Sequence, residues 1–296
     1  VFTFLEKIYG IKNIMLLKHN RMLESRQELL NLIILFSLLT ILYCLKKSKP
    51  VEKFTSKVPN PSPSNSSRKK IISFSLWGNN ECYNWGAVEN ALLAEKLYPD
   101  WICRFYVGQD IIPKVRELLK KLDNVEVIEM QEDRASANMF WRFIPMYQED
   151  HEAVLSRDTD SRLNAREQKS VENWLHNTTG QDFLILRNHK FHNQLVMGGM
   201  FGVKNNVFHQ FKDRFQNQAQ EKKKGKYMED QIFLRDVYRK LAPKNIMVYD
   251  SHYHFPKEKV LPYVETEFNG YIGQIVCNDF ALTNEKFNLN IQKTSI

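Results

Sequence analysis

Apolar and polar positions follow two different patterns along the chain, one before and one after about residue 70. In the first part the apolar residues gather into one block. Leu29 to Leu45 (LLNLIILFSLLTILYCL) is an uncharged run of 17 residues. As a helix it covers roughly 26 Å at about 1.5 Å per residue, near the lower limit for crossing a bilayer. The run is apolar on every face and is followed at once by Lys46 and Lys47. This predicts a single transmembrane helix in preference to a buried core helix. A cleaved signal peptide is the alternative, but only Tyr43-Cys44-Leu45-Lys46-Lys47 follows the run, with no small-x-small cleavage site. Residues 1–28 form an N-terminal tail. Residues 46–69, with Val58-Pro-Asn-Pro-Ser-Pro-Ser-Asn-Ser-Ser67, are too poor in apolar residues to fold and read as a flexible stem.

From Lys70 the pattern switches to short apolar runs alternating with segments of helical period. Ile71–Leu76, Trp101–Val107, Val125–Met130 and Ala153–Ser156 read as strands. Trp85–Leu97, Ile112–Leu122, Asn138–Met146 and Arg166–Leu175 read as helices. The β-α-β-α-β order predicts an α/β fold with a mostly parallel sheet flanked by helices, which binds ligands beyond the carboxyl ends of its strands. This domain is expected over residues 70–262. Residues 263–296 are expected as a C-terminal extension, irregular or with a short element packed on the domain.

Charge follows the same division. The chain carries a net +8, but residues 1–70 hold 13 Lys and Arg against 4 Asp and Glu, leaving 29 against 30 for residues 71–296. A nearly neutral domain argues against a nucleic-acid partner, which would require basic residues clustered on the fold. The run Lys222-Lys223-Lys224-Gly225-Lys226 reads as a solvated loop. Around the apolar block the 20 residues before it hold 4 Lys and Arg and the 20 after it hold 5, so charge does not orient the anchor. Analogy with anchored enzymes places the domain on the lumenal side of a Golgi or ER type membrane. The four cysteines, Cys44, Cys82, Cys103 and Cys277, show no metal-ligand spacing and leave room for at most one bridge in the domain.

The chemistry centres on Val154-Leu-Ser-Arg-Asp-Thr-Asp-Ser-Arg162. Asp158 and Asp160 follow a predicted strand and stand at i and i+2, where two carboxylates can reach one hard divalent cation, Mn2+ or Mg2+. The alternative is a turn in which Asp residues cap the next helix. An R-D-x-D-S-R segment at the end of an internal strand, followed by Glu167 and Trp174 on a helix, resembles GT-A fold glycosyltransferases, in particular a membrane- and capsule-associated subset. The similarity covers roughly residues 70–255.

That resemblance implies a Rossmann-like GT-A domain and a nucleotide sugar donor whose diphosphate is held by the metal. It also implies transfer to a hydroxyl of a glycan, lipid or protein acceptor. It places Trp77 and Asn90 near the nucleotide, Arg142 at the diphosphate and Gly198-Gly199 beside the donor sugar. Tyr227-Met228-Glu229-Asp230-Gln231 resembles the acidic start of a family helix, with Asp230 and Glu229 as catalytic or acceptor-binding carboxylates. Family members often supply a further metal ligand, commonly His, in the segment matching Tyr249-Asp250-Ser251-His252-Tyr253-His254. Tyr249 stands where the subset has His, which leaves His252 or His254 as the third ligand. Two rivals remain at this stage: a haloacid dehalogenase type phosphatase, whose Asp-x-Asp normally opens its domain, and a non-catalytic, membrane-anchored glycan-binding protein.

Overall fold

Eight strands form one sheet in the order β3-β2-β1-β4-β6-β5-β7-β8. The structure is a computed structural model that describes residues 68–131, 135–148, 151–220, 229–242 and 244–291. The transmembrane run, nearly all of the stem and the Lys222–Lys226 segment lie outside these residues. Among the described residues no helix is long and apolar enough to cross a membrane.

The strands are β1 Lys69–Leu76, β2 Ile102–Val107, β3 Val125–Glu129, β4 His151–Arg157, β5 Phe183–Arg187, β6 Met200–Lys204, β7 Ile246–Asp250 and β8 Val260–Leu261. The α-helices are α1 Glu81–Leu97, α2 Pro113–Leu119, α3 Pro145–Gln148, α4 Ala165–Leu175, α5 Lys212–Gln220, α6 Glu229–Leu241 and α7 Ala281–Phe287. Only β6 runs against the others, pairing antiparallel with β4 and β5. β1 pairs parallel with both β2 and β4. The chain therefore winds outward from β1 to β3 and then returns to the other side of β1, which makes the carboxyl ends of β1 and β4 a topological switch point.

Strands covered on both faces read as continuous apolar runs, and β5 (FLILR) and β7 (IMVYD) are buried along their whole length. On one face Phe74, Leu76, Phe105, Leu155 and Trp174 pack with α1, α2 and α4. On the other, Phe143, Phe201, Phe208 and Phe233 form a separate aromatic cluster with Trp141. Each fully buried side chain of this size stabilises the fold by about 1.5–3 kcal/mol.

Four expectations about local structure change. The first helix begins at Glu81, not Trp85, because the Asn80 side chain caps it by accepting from Cys82 N–H. The second helix is shorter than expected, Pro113–Leu119. Residues expected as the helix Asn138–Met146 form a 3-10 helix, Ala135–Phe143, followed by the short α3. Pro145 explains the break, since it lacks an N–H and disfavours the α conformation in the residue before it. Gly198 and Gly199, in the apolar run Met197–Val203 whose pattern reads as a strand, form a turn before β6.

Beyond Pro262 the chain passes back over the domain. It forms an isolated bridge between Ile275 and Ser161, a disulfide between Cys277 and Cys82, and α7, whose Thr283 N–H donates to Glu89 Oε1 at 2.7 Å. Cys103 remains a free, buried thiol.

Candidate functional site

The switch point gathers side chains from four stretches of chain. Asp158 follows β4, and its side chain is 44% exposed. Arg142, from the 3-10 helix, is buried and ion-pairs with Asp158 through one terminal nitrogen. Its other terminal nitrogen donates to Asp230 Oδ2 at 2.9 Å, and Asp230 is buried in the first turn of α6. The Arg142 backbone N–H donates to Ser75 Oγ at 2.9 Å, tying the 3-10 helix to the end of β1. Burial works against the charge on Arg142, but the two carboxylates outweigh it and raise the guanidinium pKa. Among the described residues, buried Arg142 Nε has no hydrogen-bond partner.

The glycine turn lies directly against this triad. A Cβ on Gly198 would stand 2.5 Å from Asp230 Oδ2 and 2.6 Å from an Arg142 terminal nitrogen. A Cβ on Gly199 would collide with the Asp158 carboxylate and stand 3.0 Å from its backbone nitrogen. Antiparallel β6 brings the pair here by placing Met200 opposite Arg157. The carbonyls of Gly198 and Gly199 accept from Ser156 Oγ at 2.6 Å and from Arg157 at 2.7 Å. Buried Arg157 in turn faces Glu167 at 3.0 Å. Burial pushes the Glu167 carboxyl up to about 7, against the pull of Arg157.

The loop carrying Asp160 is held from behind. Asn90, on α1, donates to Thr159 O at 3.3 Å and Ser161 O at 2.7 Å, and its Oδ1 accepts from Leu163 N–H at 3.0 Å. Asn90 was expected near the nucleotide. It is buried, and its amide holds the backbone of the loop. Asp160 O accepts from Val276 N–H at 2.7 Å. The Asp160 carboxyl is pushed up to about 6, first by burial and then by the Asp158 charge, against the pull of Arg142 and Arg162. An Asp158 carboxylate close enough to raise the proton affinity of Asp160 suits a divalent cation shared by the two, which relieves that repulsion.

His252 does not join them. It lies on an exposed loop after β7, where Asp250 Oδ1 accepts from the N–H groups of His252 and Tyr253, each at 2.7 Å. Its ring neighbours His189, 6.2 Å between centroids. Among the described residues no three His, Cys, Asp or Glu side chains converge to hold a metal ion. The expected third ligand is therefore not assembled. Asp250 spends its other oxygen on buried Arg187, at 2.5 Å, which fixes this loop to β5. Tyr249 is buried with its hydroxyl bonded to Asn173.

Trp77 follows β1, is half-buried, and packs edge-on against Trp141 with ring centroids 6.3 Å apart. Glu229 opens α6 and is half-buried, next to buried Asp230. His189 stacks on Tyr271 at 3.9 Å. His192 accepts from Asn188 N–H, and burial, with His189 next, lowers its pKa to about 4, so it stays neutral. Two shallow concavities, of about 360 and 430 Å3, lie around Lys70 and Asp100 at the amino ends of β1 and β2, far from this site.

Solved structures similar to this chain include glycosyltransferases. A mannosyltransferase from Pyrobaculum calidifontis in complex with GDP-Man and Mn2+ matches at 13% identity and a TM-score of 0.36, over 51% of this chain and 49% of its own. The present chain thus spans about half the length of that enzyme. The galactosyltransferase LgtC, in complex with donor and acceptor sugar analogs, matches at 14% identity and a TM-score of 0.38, over 61% of this chain and 73% of its own. TarS residues 1–349 from S. aureus match at 15% identity and a TM-score of 0.44, over 66% and 59%. At such identities the likeness lies in the fold and not in the chemistry of the site. No family model matches the sequence, and no curated protein matches it.

Arg157 opens the R-D-x-D-S-R segment, and Ser75 lies in the strand expected to border the nucleotide; both are buried polar residues at or near strand ends. The sequence motifs missed one contributor to the site: the crossing of Val276 over the Asp160 loop has no local signal at all.

Proposed function

We infer that the protein is a metal-dependent glycosyltransferase that moves a sugar from a nucleoside diphosphate sugar to a hydroxyl of a glycan, lipid or protein acceptor. One observation carries this reading. Asp158, Asp160, Arg142 and the Gly198-Gly199 turn meet at the carboxyl-end switch point of a mostly parallel sheet. Asp158 and Asp160 would hold the cation, Mn2+ or Mg2+. When bound, it neutralises charge on the diphosphate as the bond to the sugar breaks.

Within the chain, Arg142 keeps a positive charge beside Asp158, where it would attract a diphosphate. The lack of a side chain at Gly198 and Gly199 lets their backbone pack directly against Asp158, Arg142 and Asp230 and so holds those three groups in place. Asp230 has both oxygens engaged, Oδ2 with Arg142 and Oδ1 with Gln231 N–H at 2.9 Å. That supports a role in positioning Arg142. Half-buried Glu229 is then the carboxylate of this pair better placed to meet an acceptor. Trp77 would border the nucleotide. The disulfide supports a domain matured in an oxidising, lumenal or external compartment, anchored through Leu29–Leu45.

The phosphatase reading fits less well, because three strands precede the Asp-x-Asp strand and Asp158 is paired with Arg142. The test incubates the protein with UDP-, GDP- and other nucleotide sugars and Mn2+ or Mg2+, and measures released nucleotide. Metal-dependent release from one donor, stopped by EDTA and by Asp158→Asn without unfolding, is the expected result. Neither release nor metal-dependent nucleotide binding would turn the reading toward a binding protein.

A further inference from the structure

Residues 271–280 run across the outside of the Asp158–Arg162 turn as a strap. At its two ends Ile272 and Phe280 are buried, and between them the strap is half-buried or exposed, with Ile275 61% exposed. Polar contacts hold this middle stretch to the turn. Val276 N–H donates to Asp160 O at 2.7 Å, Ile275 bridges Ser161, and Arg162 donates to Val276 O at 2.8 Å and Asp279 O at 3.2 Å. A segment held mainly by exposed hydrogen bonds opens at low cost. The exception is covalent, since Cys277, next to Val276, is bonded to Cys82 in the first turn of α1, with Cα atoms 4.5 Å apart.

The same helix grips the turn from its inner side. Asn90 bonds the backbone at 159, 161 and 163, and a Cβ on Gly86 would collide with Thr159 O. The turn is thus clamped between α1 and a strap that the disulfide fastens to α1.

We propose that the Cys82–Cys277 disulfide is a positioning element for the metal-binding turn, acting through Val276 on Asp160. The inference rests on Asp158 and Asp160 being metal ligands. With the bond closed, the Val276 N–H is held at the Asp160 carbonyl, and the turn keeps the backbone that aims both carboxylates at one point. With the bond open, the strap leaves the turn and the two carboxylates lose their common aim. A trialkylphosphine opens it: the phosphine gives an electron pair to the S–S bond and becomes the phosphine oxide with oxygen from water. The two protons of that water complete the two thiols.

The experiment uses the full chain and follows Mn2+ by electron paramagnetic resonance, alone and with UDP or GDP, below the unfolding transition. Oxidised protein is compared with the double variant Cys82→Ser/Cys277→Ser, with phosphine-treated protein, and with that protein after reoxidation. Mn2+ affinity is expected to fall about tenfold or more on opening, the range for groups that orient metal ligands, and to return on reoxidation. A purely structural bridge would lower the unfolding midpoint and leave Mn2+ affinity below the transition unchanged, which would overturn the proposal. Val276→Pro removes the N–H while keeping the disulfide. It should weaken Mn2+ binding likewise, and unchanged binding there also overturns it, including where the double serine variant does not fold. Oxidised wild-type protein that binds no Mn2+ under any of these conditions would defeat the metal reading itself.

Discussion

Replacing Arg142 with Met removes the cation shared by Asp158 and Asp230, and the two pairs should respond very differently. The Asp158 side chain is 44% exposed, so water can solvate it once Arg142 is gone, and its pair is worth about 0–1 kcal/mol. The Asp230 side chain is only 3% exposed. Leaving a buried carboxylate without its partner costs about 3–5 kcal/mol. Arg142→Met should therefore destabilise the fold by about 3–5 kcal/mol, nearly all of it through Asp230. The double variant Arg142→Met/Asp230→Leu removes the stranded charge along with its partner. It should recover most of that loss, because apolar replacements for a buried pair are often neutral or better.

Urea unfolding of the wild type, both single variants and the double variant, all with the disulfide intact, gives the coupling energy. The reasoning above sets it at about 3 kcal/mol, well beyond the usual additivity error of about 0.3–0.5 kcal/mol. A coupling below about 0.5 kcal/mol would refute the picture, since it would mean that Asp230 is solvated once Arg142 is removed. Asp158→Asn serves as the contrast, with an expected change below about 1 kcal/mol. Stability and chemistry should also separate: in the proposed reading the double variant regains its fold but not its transfer activity.

Three further outcomes follow from the same geometry. Gly199→Ala places a methyl group against the Asp158 carboxylate and backbone, so it should abolish Mn2+-dependent donor turnover in the nucleotide-release assay while Gly180→Ala, in open space at positive φ, leaves turnover intact. Asp160 in the metal-free chain titrates near 6, so Mn2+ affinity should fall as pH drops through 6, where protons compete for the ligand, and level off above 7; a flat profile from pH 5 to 7 would exclude Asp160 as a ligand. Glu167 has its folded pKa raised from 4.5 to about 7, so its neutral form favours the fold below 4.5, and that contribution is lost as pH rises through 7; thermal melts of wild type against Glu167→Gln should show the wild type losing more stability across that window.

The features legible in the sequence are those written in neighbouring residues. Strands β1, β2 and β4 stand out because burial on both faces keeps them mainly apolar, as in Ile71–Leu76, where only Ser73 and Ser75 interrupt the run. The acidic start of α6 is visible because Glu229 and Asp230 suit the positive end of a helix. The contacts of Asn90 are not written locally: an amide on a helix can face a ligand or a turn, and the docking of α1 against residues 159–163 sets the bonds it makes. The pairing of Cys82 with Cys277 spans 195 residues, and nothing local to either cysteine announces it. His252 entered as a candidate only because Tyr249 fills the position of the family's His, and among the described residues its exposed ring neighbours His189 and does not complete a group of three metal-ligating side chains.

The unequal burial of the two acids bonded to Arg142 bears on how the site would change when a donor arrives. Asp158 lies where water reaches it, so exchanging part of its contact with Arg142 for a cation replaces one charged partner with another at little desolvation cost. Asp230 has no such freedom, being enclosed and bonded through both oxygens. The guanidinium therefore stays tethered to α6 while Asp158 changes partner, and its charge remains where a diphosphate would need it. Gly198, packed against the Arg142–Asp230 contact with no room for a Cβ, keeps water from opening that tether. In the proposed reading, a fixed cation beside a carboxylate free to change partner would let metal and diphosphate enter together without leaving a buried charge unpaired at any stage.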